Sequence, residues 1–479
     1  MDELKAKTIT SLFWKGLERV GNQAIALIVQ IVMARLLAPE QFGNLAILVV
    51  FVNFGNIIVQ YGLNIALVQA NTMSDEDCST VFWMNLFAAS LICFLIALFA
   101  DQISAFFGCA SLSNPLRFLS LVLIINAYNG VQCSIIQREL QFKKFFMPTI
   151  LSVIASGILG IALALEGFGL WALVFQQICY QAVNCLALSS QVSWRPRMAF
   201  NRARARGFLS YGWKLLFSGL LDVGYRSLSD LIIGKKFSTA TLGYVSQGEK
   251  YPTTLGTMLD SAIQPVMMSA VSRVQDDITL VKRLVRRALK TSSFLVFPAM
   301  CLFALESEPL VILLLGDKWL PSVPFMQMYC FIFALLPVQT ANLQALNGMG
   351  RSDVFFKLEV IKKSYGIMLL LLAAFVFGNA YAMVGMVMIS AVLSTFVNAS
   401  PNKIIIGYSY REQLADLAPI ALITLLSASA TFPLNLIIDN KLLLIVTQGF
   451  SMVGIYLLLA KVFHLEVFDY LMQTIRNTK

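Results

Sequence analysis

Long apolar stretches recur along the whole chain, separated by short polar segments. A helix needs about 20 residues to cross a bilayer at about 1.5 Å per residue, and about fourteen stretches reach that length. No interval between them has the ~100 residues of a soluble domain. Because only helices and closed barrels satisfy their backbone groups in lipid, the pattern predicts an all-α polytopic membrane protein. The predicted spans are approximately residues 9–37, 41–69, 78–100, 114–137, 145–165, 168–192, 208–234, 240–270, 290–314, 322–347, 355–377, 380–406, 415–437 and 441–463.

Composition agrees with this pattern, since 58% of the 479 residues are hydrophobic and only 13% are charged. Ordinary soluble domains carry about 25% charged residues. The first span is longer than the apolar core of a signal peptide, contains charges and ends near Arg35. We therefore expect it to remain part of the protein.

The basic residues favour a membrane orientation. A net charge of +10 could indicate nucleic-acid binding, but the lysines and arginines concentrate in alternate loops. That is the positive-inside pattern, so we expect no nucleic-acid partner and place both termini in the cytoplasm. One predicted cytoplasmic loop, residues 71–79, has three acidic residues and no basic one. Acidic residues count little in this rule.

A basic segment and a weak internal repeat divide the chain. Residues 194–207 contain five arginines, Pro196 and no apolar run. Trp14-Lys15 recurs as Trp213-Lys214, and residues 34–43 loosely match residues 234–243. Six spans per repeat is an even number, so both repeats share one topology around a central cavity. The predicted parts are an N-lobe of residues 1–193, a linker at 194–207, a C-lobe of residues 208–406, and two further spans with a tail at 407–479.

Charged side chains lie inside three predicted spans. In the first, one helical face within an arc of about 140° carries Lys15, Glu18, Arg19, Asn22, Gln23 and Gln30. Charge on a lipid-facing surface is costly, so this face should line a protein interior or an aqueous cavity. The seventh and eighth spans carry comparable groups at Lys214, Asp222, Arg226, Lys250 and Asp260.

Three further spans present amide side chains at helical spacing on one face. They are Asn53, Asn56, Gln60 and Asn64 in the second span, Asn126, Asn129 and Gln132 in the fourth, and Gln339, Asn342 and Asn347 in the tenth. Amides offer donors and acceptors that suit sugar hydroxyls. Lysine and arginine in a partly desolvated wall suit phosphate. The pattern predicts an anionic substrate with a hydroxyl-rich body.

Simpler interpretations stay open for these residues. Lys15 and Arg19 could snorkel to the cytoplasmic interface, and Lys250, which precedes Tyr251-Pro252, could lie near a helix break. Neighbouring opposite charges could only neutralise each other. The amide faces could serve interhelical hydrogen bonds alone.

Sequence patterns for other chemistry are missing. The chain has no GxxxxGK[ST], HExxH or GxSxG motif and no metal-spaced cluster of cysteine and histidine. Its eight cysteines have no CxxC spacing, and its one histidine, His464, stands at the end of the last span. We therefore expect no metal and no cofactor, and interpret the chain as a transporter rather than an enzyme.

Three sequence features carry a resemblance to a known family. They are the Trp-Lys-containing first span, the ARLLAPEQFG turn at residues 34–43, and the NGMGRSD segment at residues 347–353. With these features the chain resembles the Wzx-type polysaccharide flippases of the MOP superfamily. Within them it looks most like the exporter branch that includes the colanic acid exporters.

The resemblance implies two six-helix lobes around a central cavity and alternating access. It implies an undecaprenyl-diphosphate-linked glycan as cargo, surrounding membrane lipids as a second contact, and a location in the bacterial inner membrane. Polysaccharide polymerase and chain-length proteins are the partners it suggests. In the related lipid II flippases two C-terminal helices form a groove for the lipid tail, and cavity arginines bind the diphosphate. The matching positions here are spans 13 and 14, and Arg19 and Arg226.

Two alternatives to a flippase remain. A MATE-like cation or drug exporter would have an acidic, aromatic cavity, whereas the charges here are about balanced. A non-transporting scaffold for the polysaccharide machinery is the other. Coupling to H⁺ or Na⁺ through Glu18, Asp222 or Asp260, or to the membrane potential, stays open, as does the choice between O-antigen, capsule and exopolysaccharide.

Overall fold

The structure is a computed structural model that describes residues 21–70 and 72–477. Within these ranges every regular element is a helix and none is a strand, as the sequence predicts. The chain divides into two compact units, one ending at Gly243 and one beginning at Tyr244. The lobes predicted from the repeat divide the chain elsewhere, at residues 194–207, and they remain a prediction.

The first unit is built from long helices joined by short turns. They are α1 (Gly21–Leu36), α2 (Pro39–Gln69), α3 (Asp75–Phe107), α4 (Ala110–Arg138), α5 (Lys143–Leu165), α6 (Leu170–Gln191) and α7 (Arg202–Lys236). Helix α2 contains one π-helical turn at Ile57–Tyr61, and α7 packs against α2 and α3.

The second unit is also built from helices. The boundary between the units falls within its first helix, α8, so the residues of α8 before Tyr244 belong to the first unit. A short helix, Ser307–Leu314, lies between α9 and α10. The long helices are α8 (Thr239–Ser272), α9 (Ile278–Leu305), α10 (Asp317–Gly348), α11 (Ser352–Phe377), α12 (Ala380–Ile405), α13 (Tyr410–Ile437), α14 (Lys441–Val462) and α15 (Glu466–Asn477).

Polar caps fix where the helices begin. The Ser74 hydroxyl accepts the backbone N–H of Asp77 at 3.1 Å, and the Asp77 carboxylate accepts that of Ser74 at 3.0 Å. This capping box starts α3. The Asn201 side chain caps α7 in the same sense, accepting from the backbone N–H groups of Ala203 and Arg204 at 3.1 Å. Residues 202–207, predicted as linker, are therefore the first turns of α7.

Ten helices among the described residues are long and apolar enough to cross a membrane. They are α2 to α5 and α9 to α14. Each of the fourteen predicted spans overlaps one of α1 to α14, but α6, α7 and α8 fall outside the ten, and α1 is described over only 16 residues. The predicted number of fourteen crossings is not confirmed.

Large apolar side chains cover the outer faces of these helices. Phe87 on α3, Phe375 on α11 and Phe450 on α14 are 72%, 78% and 79% exposed. In water such surfaces would drive aggregation, whereas in a bilayer they face lipid at no cost. The chain is a multi-span membrane protein, and its polar positions must be interpreted against that apolar exterior.

Candidate functional site

The predicted site residues fall on separate units. Lys15, Glu18 and Arg19 lie outside the described residues. In the first unit are Asn22 on α1, Asn53, Asn56 and Gln60 on α2, Asn126 and Asn129 on α4, and Lys214, Asp222 and Arg226 on α7. In the second unit are Lys250 and Asp260 on α8, and Gln339 and Asn342 on α10.

Helix α7 presents two cations on its exposed surface. Lys214 is exposed and forms no ion pair with the described residues. The Arg226 side chain is 77% exposed, and its Nε donates to Asp222 Oδ2 at 3.0 Å, one turn earlier. This bond fixes one edge of the guanidinium. Its two terminal nitrogens make no hydrogen bond to the described residues. They can therefore donate hydrogen bonds to an anion at the opposite edge of the guanidinium.

The opposite side of α7 is held close to α2. A Cβ added to Gly62 would lie 2.5 Å from the Gly212 carbonyl oxygen, and one added to Gly212 would lie 2.8 Å from that of Gly62. Only glycine permits so near an approach of two helix backbones. Lys214 follows this contact by two residues, so its backbone position is fixed while its side chain extends outward.

Amides of α2 and α4 pair across the helices. Asn126 Nδ2 donates to Asn56 Oδ1 at 2.8 Å. Asn129 Nδ2 donates to Asn184 Oδ1 on α6 at 3.4 Å. Asn53, by contrast, is exposed, and its side chain has no hydrogen bond among the described residues. Hydrogen bonds between helices therefore explain why amides occur at Asn56, Asn126 and Asn129. The side chain of Asn53 stays available to a ligand.

Two further hydrogen bonds between helices extend the predicted amide faces of α2 and α4. Asn85 Nδ2 on α3 donates to Asn64 Oδ1 on α2 at 2.9 Å. Gln132 Nε2 on α4 donates to Ser189 Oγ on α6 at 2.7 Å. Asn64 and Gln132 belong to the amide faces that the sequence predicts. Their partners Asn85 and Ser189 are not predicted, and the signal for them is a polar residue inside the otherwise apolar third and sixth spans. Together these bonds tie the first unit together through polar contacts inside apolar helices.

In the second unit the charged residues of α8 have contrasting surroundings. Lys250 is exposed. Asp260 is 5% exposed, and its Oδ2 accepts from Gln264 Nε2 at 2.6 Å. Gln339 Nε2 on α10 donates to the Ala391 carbonyl oxygen at 3.1 Å. Lys250 is thus the described residue of this group best placed to meet a ligand within its own unit.

Asn342 belongs to a buried amide cluster that joins α10, α12 and α13. It is fully buried, and its Nδ2 donates to Gln413 Oε1 at 3.0 Å. Its Oδ1 accepts from Asn402 Nδ2 at 2.7 Å and from Gln413 Nε2 at 3.1 Å. A side chain enclosed in this way supports the helix packing and has no free polar atom for a sugar.

The basic segments form ion pairs that the sequence did not reveal. Asp77, 1% exposed, accepts two bonds of 2.6 Å from Arg204 at the start of α7. Asp75 pairs with Arg197 at 3.1 Å. Asp75 and Asp77, in the first turn of α3, therefore neutralise part of the arginine-rich segment. In the second unit Arg286 binds buried Asp416 through two bonds of 2.6 Å.

The described residues contain no group of three or more histidine, cysteine, aspartate or glutamate side chains that could hold a metal ion. The charged and amide side chains described above suit electrostatic and hydrogen-bonded recognition of a ligand.

Comparison with known proteins places these features in a family. The chain is 22% identical over 448 residues to the lipopolysaccharide biosynthesis protein WzxC of Escherichia coli, covering 92% of this chain and 90% of that protein. It is 23% identical over 360 residues to the succinoglycan biosynthesis transport protein ExoT of Rhizobium meliloti, covering 75% and 73%.

Solved structures show the same fold. The lipid II flippase MurJ in an inward closed conformation superposes with a TM-score of 0.78 at 13% identity, covering 95% of this chain and 99% of that one. An inward-facing multidrug resistance transporter of the MATE family gives 0.56 at 13% identity, covering 82% and 99%. The predicted all-α MOP-type fold and the resemblance to polysaccharide exporters are confirmed. The model of the family described as polysaccharide biosynthesis protein matches residues 32–324, more than half of the chain, and the chain belongs to that family.

Proposed function

We propose that the chain flips an undecaprenyl-diphosphate-linked oligosaccharide from the inner to the outer leaflet of the bacterial cytoplasmic membrane. One observation carries this proposal: a member of the polysaccharide biosynthesis family has the fold of a lipid flippase along 95% of its length. The similarity to WzxC over 92% of the chain supports it. The cargo is a repeat unit of a surface polysaccharide, and alternating access is the mechanism.

The relatives are biosynthesis and transport proteins, so the chain is a transporter and not an enzyme. A MATE-like drug exporter is the weaker candidate. The similarity to the MATE structure covers 82% of the chain at a TM-score of 0.56, against 95% at 0.78 for the lipid flippase. Both curated relatives described above are named for polysaccharides, and neither for drugs.

The exposed cations of α7 bind the diphosphate in this proposal. Arg226 offers two terminal nitrogens to one phosphate while Asp222 holds its Nε. Lys214 supplies a second cation on the same helix. Lys250, in the second unit, is assigned to diphosphate binding from the sequence alone. Lys15 and Arg19 are assigned to the same task from the sequence. Bound in this way, the diphosphate would exchange water for charge-assisted hydrogen bonds.

The glycan and the lipid tail need different surfaces. Asn53 is exposed and offers both a donor and acceptors to sugar hydroxyls. Helices α13 and α14 carry exposed apolar side chains, including Leu425 at 60% and Phe450 at 79%. These faces suit a polyprenyl tail that stays in lipid while its headgroup crosses.

The membrane potential supplies a driving force. Each negative charge moved toward the positive outer side gains about 2.3 kcal/mol per 100 mV. A diphosphate therefore crosses outward down its electrical gradient. Coupling to H⁺ or Na⁺ through Glu18, Asp222 or Asp260 is the alternative drive. Both termini lie in the cytoplasm in this arrangement.

Substitution of the α7 cations tests the proposal in cells. Lys214→Ala and Arg226→Ala, singly and together, should reduce surface polysaccharide in a strain that depends on this chain. Lys403→Ala is the matched control, since Lys403 is exposed on α12 and has no ion pair among the described residues. If the double variant is produced at the normal level and supports normal surface polysaccharide, the assignment of these cations is wrong.

A further inference from the structure

A basic cavity of about 220 Å³ lies where α9 meets α15 in the second unit. None of its lining residues is among those assigned to transport above. Four cationic residues recur at helical spacing on one face of α9, and α15 closes the other side. The lining includes Arg283, Arg286, Arg287 and Lys290 from α9, and Glu466 and Tyr470 from α15.

Carboxylates neutralise two of the four cations. Arg286 is bound through two 2.6 Å bonds to Asp416, and Lys290 Nζ lies 2.5 Å from Glu466 and 3.7 Å from Asp416. Arg283 is exposed and forms no ion pair with the described residues. The cavity therefore keeps an excess of two positive charges.

Arg287 is positioned by an aromatic ring and not by a carboxylate, so its charge is not neutralised. Its guanidinium carbon lies 4.5 Å from the centre of the Tyr470 ring. Such a contact uses the face of the guanidinium and leaves its in-plane N–H groups to donate. With Arg283 four residues earlier on the same face, the cavity presents two planar forks of donors. That geometry matches the oxygens of a phosphate, which arginine binds bidentately.

The cavity also lies beside an amphipathic helix. Val467 on α15 is 6% exposed and packs with Phe294, Ile420 and Tyr456, while Met472 is 49% exposed. A helix with one buried apolar face and one polar face, flanking a terminal span, suits the plane of the membrane interface. Basic residues at that depth attract anionic lipid headgroups.

We propose that this cavity binds a phosphate group, supplied by the headgroup of an anionic phospholipid in the adjoining leaflet. Arg283 and Arg287 are the recognising residues. Arg286 and Lys290 are paired with Asp416 and Glu466, so the excess positive charge of the cavity comes from Arg283 and Arg287. A free phosphate ion carries the same chemistry, so the test separates the two sources. The proposal is independent of the transported cargo, because none of these residues belongs to the proposed transport site.

The test uses the full chain, purified in a neutral detergent. Its thermal unfolding midpoint is followed against added short-chain phosphatidylglycerol, phosphatidylcholine or inorganic phosphate. Phosphatidylglycerol should raise the midpoint, and phosphatidylcholine should not, because a choline cation cancels the phosphate charge. The variant Arg283→Gln/Arg287→Gln should need about tenfold more phosphatidylglycerol for the same rise, as expected for lost charge-assisted bonds.

A matched control separates the cavity from general surface charge. Arg202→Gln/Arg206→Gln removes two exposed arginines at the start of α7 and should respond as the unsubstituted chain does. Where the cavity double variant fails to fold, Arg283→Gln alone serves, since its side chain is exposed. A response to inorganic phosphate that shows the same dependence on Arg283 and Arg287 would support the cavity and assign the phosphate to solution. An equal response of cavity variant and unsubstituted chain, or none in either, would overturn the proposal.

Discussion

Gly43 and Gly243 face each other in a reciprocal backbone contact within the first unit. A Cβ on Gly43 would lie 1.7 Å from the Thr239 carbonyl oxygen, and one on Gly243 would lie 2.0 Å from that of Pro39. Pro39 and Thr239 each begin a helix. In both cases a turn of two residues separates this helix from the preceding one. In both pairs the residue numbers differ by 200, the offset of the sequence repeat. The equivalent turns of the two repeats therefore pack against one another.

This contact predicts a large penalty for any side chain at either glycine. Gly43→Ala or Gly243→Ala forces a backbone shift and should destabilise the protein by about 1–3 kcal/mol or more. Gly385→Ala, within α12, is the control, because a Cβ there meets nothing within 4 Å. It should be neutral or stabilising by up to about 1 kcal/mol. Thermal unfolding of the purified variants measures the difference, and equal midpoints for the two classes would contradict it.

The second close approach, between Gly62 and Gly212, predicts non-additive behaviour. Either Gly62→Ala or Gly212→Ala pushes α2 and α7 apart, and the second substitution then meets a gap already opened. The double variant should therefore lose less stability than the two single losses added together, with a coupling of about 0.5–3 kcal/mol. A double-mutant cycle on unfolding midpoints gives this value. Strict additivity would mean that the two glycines do not share one contact.

Asn342 and Asn53 were grouped together from the sequence, and the structure predicts opposite consequences for them. Asn342→Ala leaves the buried Gln413 Oε1 without its donor and removes one acceptor each from Asn402 Nδ2 and Gln413 Nε2. It should therefore cost about 1–3 kcal/mol of stability. Asn53→Ala should leave stability unchanged, because Asn53 is exposed, and should reduce glycan export if this residue contacts sugar. Unfolding midpoints and surface polysaccharide, measured on both variants, check the pair. A stable Asn342→Ala variant with lost export would restore a substrate role.

Two buried carboxylates also predict opposite effects. Asp77 is held by Arg204, so Asp77→Asn should lower stability by about 1–3 kcal/mol through weakened charge-assisted bonds. Glu306 is 3% exposed, and neither carboxylate oxygen has a hydrogen-bond partner in the part of the chain that the structure describes. A buried charge without a partner is unfavourable, so Glu306→Gln should keep or raise stability. Parallel thermal unfolding compares them, and a loss at Glu306 equal to that at Asp77 would contradict this view.

Apolar periodicity located the helices because burial in lipid depends mainly on the length of an apolar run. It misplaced ends where helices continue beyond that run. The ninth predicted span, residues 290–314, is in the structure a helix from Ile278 to Leu305 followed by a short one, since the basic first turns of α9 bind Asp416 and other polar partners.

The amide faces show a second limit of the sequence. The spacing of Asn56 and Asn126 fits both a cavity wall and an interhelical bond, and only the distance between the two side chains decides. Ion pairs such as Arg204 with Asp77 join residues more than 100 positions apart, for which spacing along one helix gives no signal.

Lipid flipping by the purified chain can be measured directly. The chain is reconstituted into liposomes that contain a fluorescent undecaprenyl-diphosphate-linked oligosaccharide, and a membrane-impermeant quencher is added outside. The unsubstituted chain should expose the inner-leaflet share of the lipid to the quencher. The variant Lys214→Ala/Arg226→Ala should expose much less of this lipid. The control Lys403→Ala should behave as the unsubstituted chain does. Quenching no greater than in protein-free liposomes, with the chain folded and inserted, would contradict a flippase.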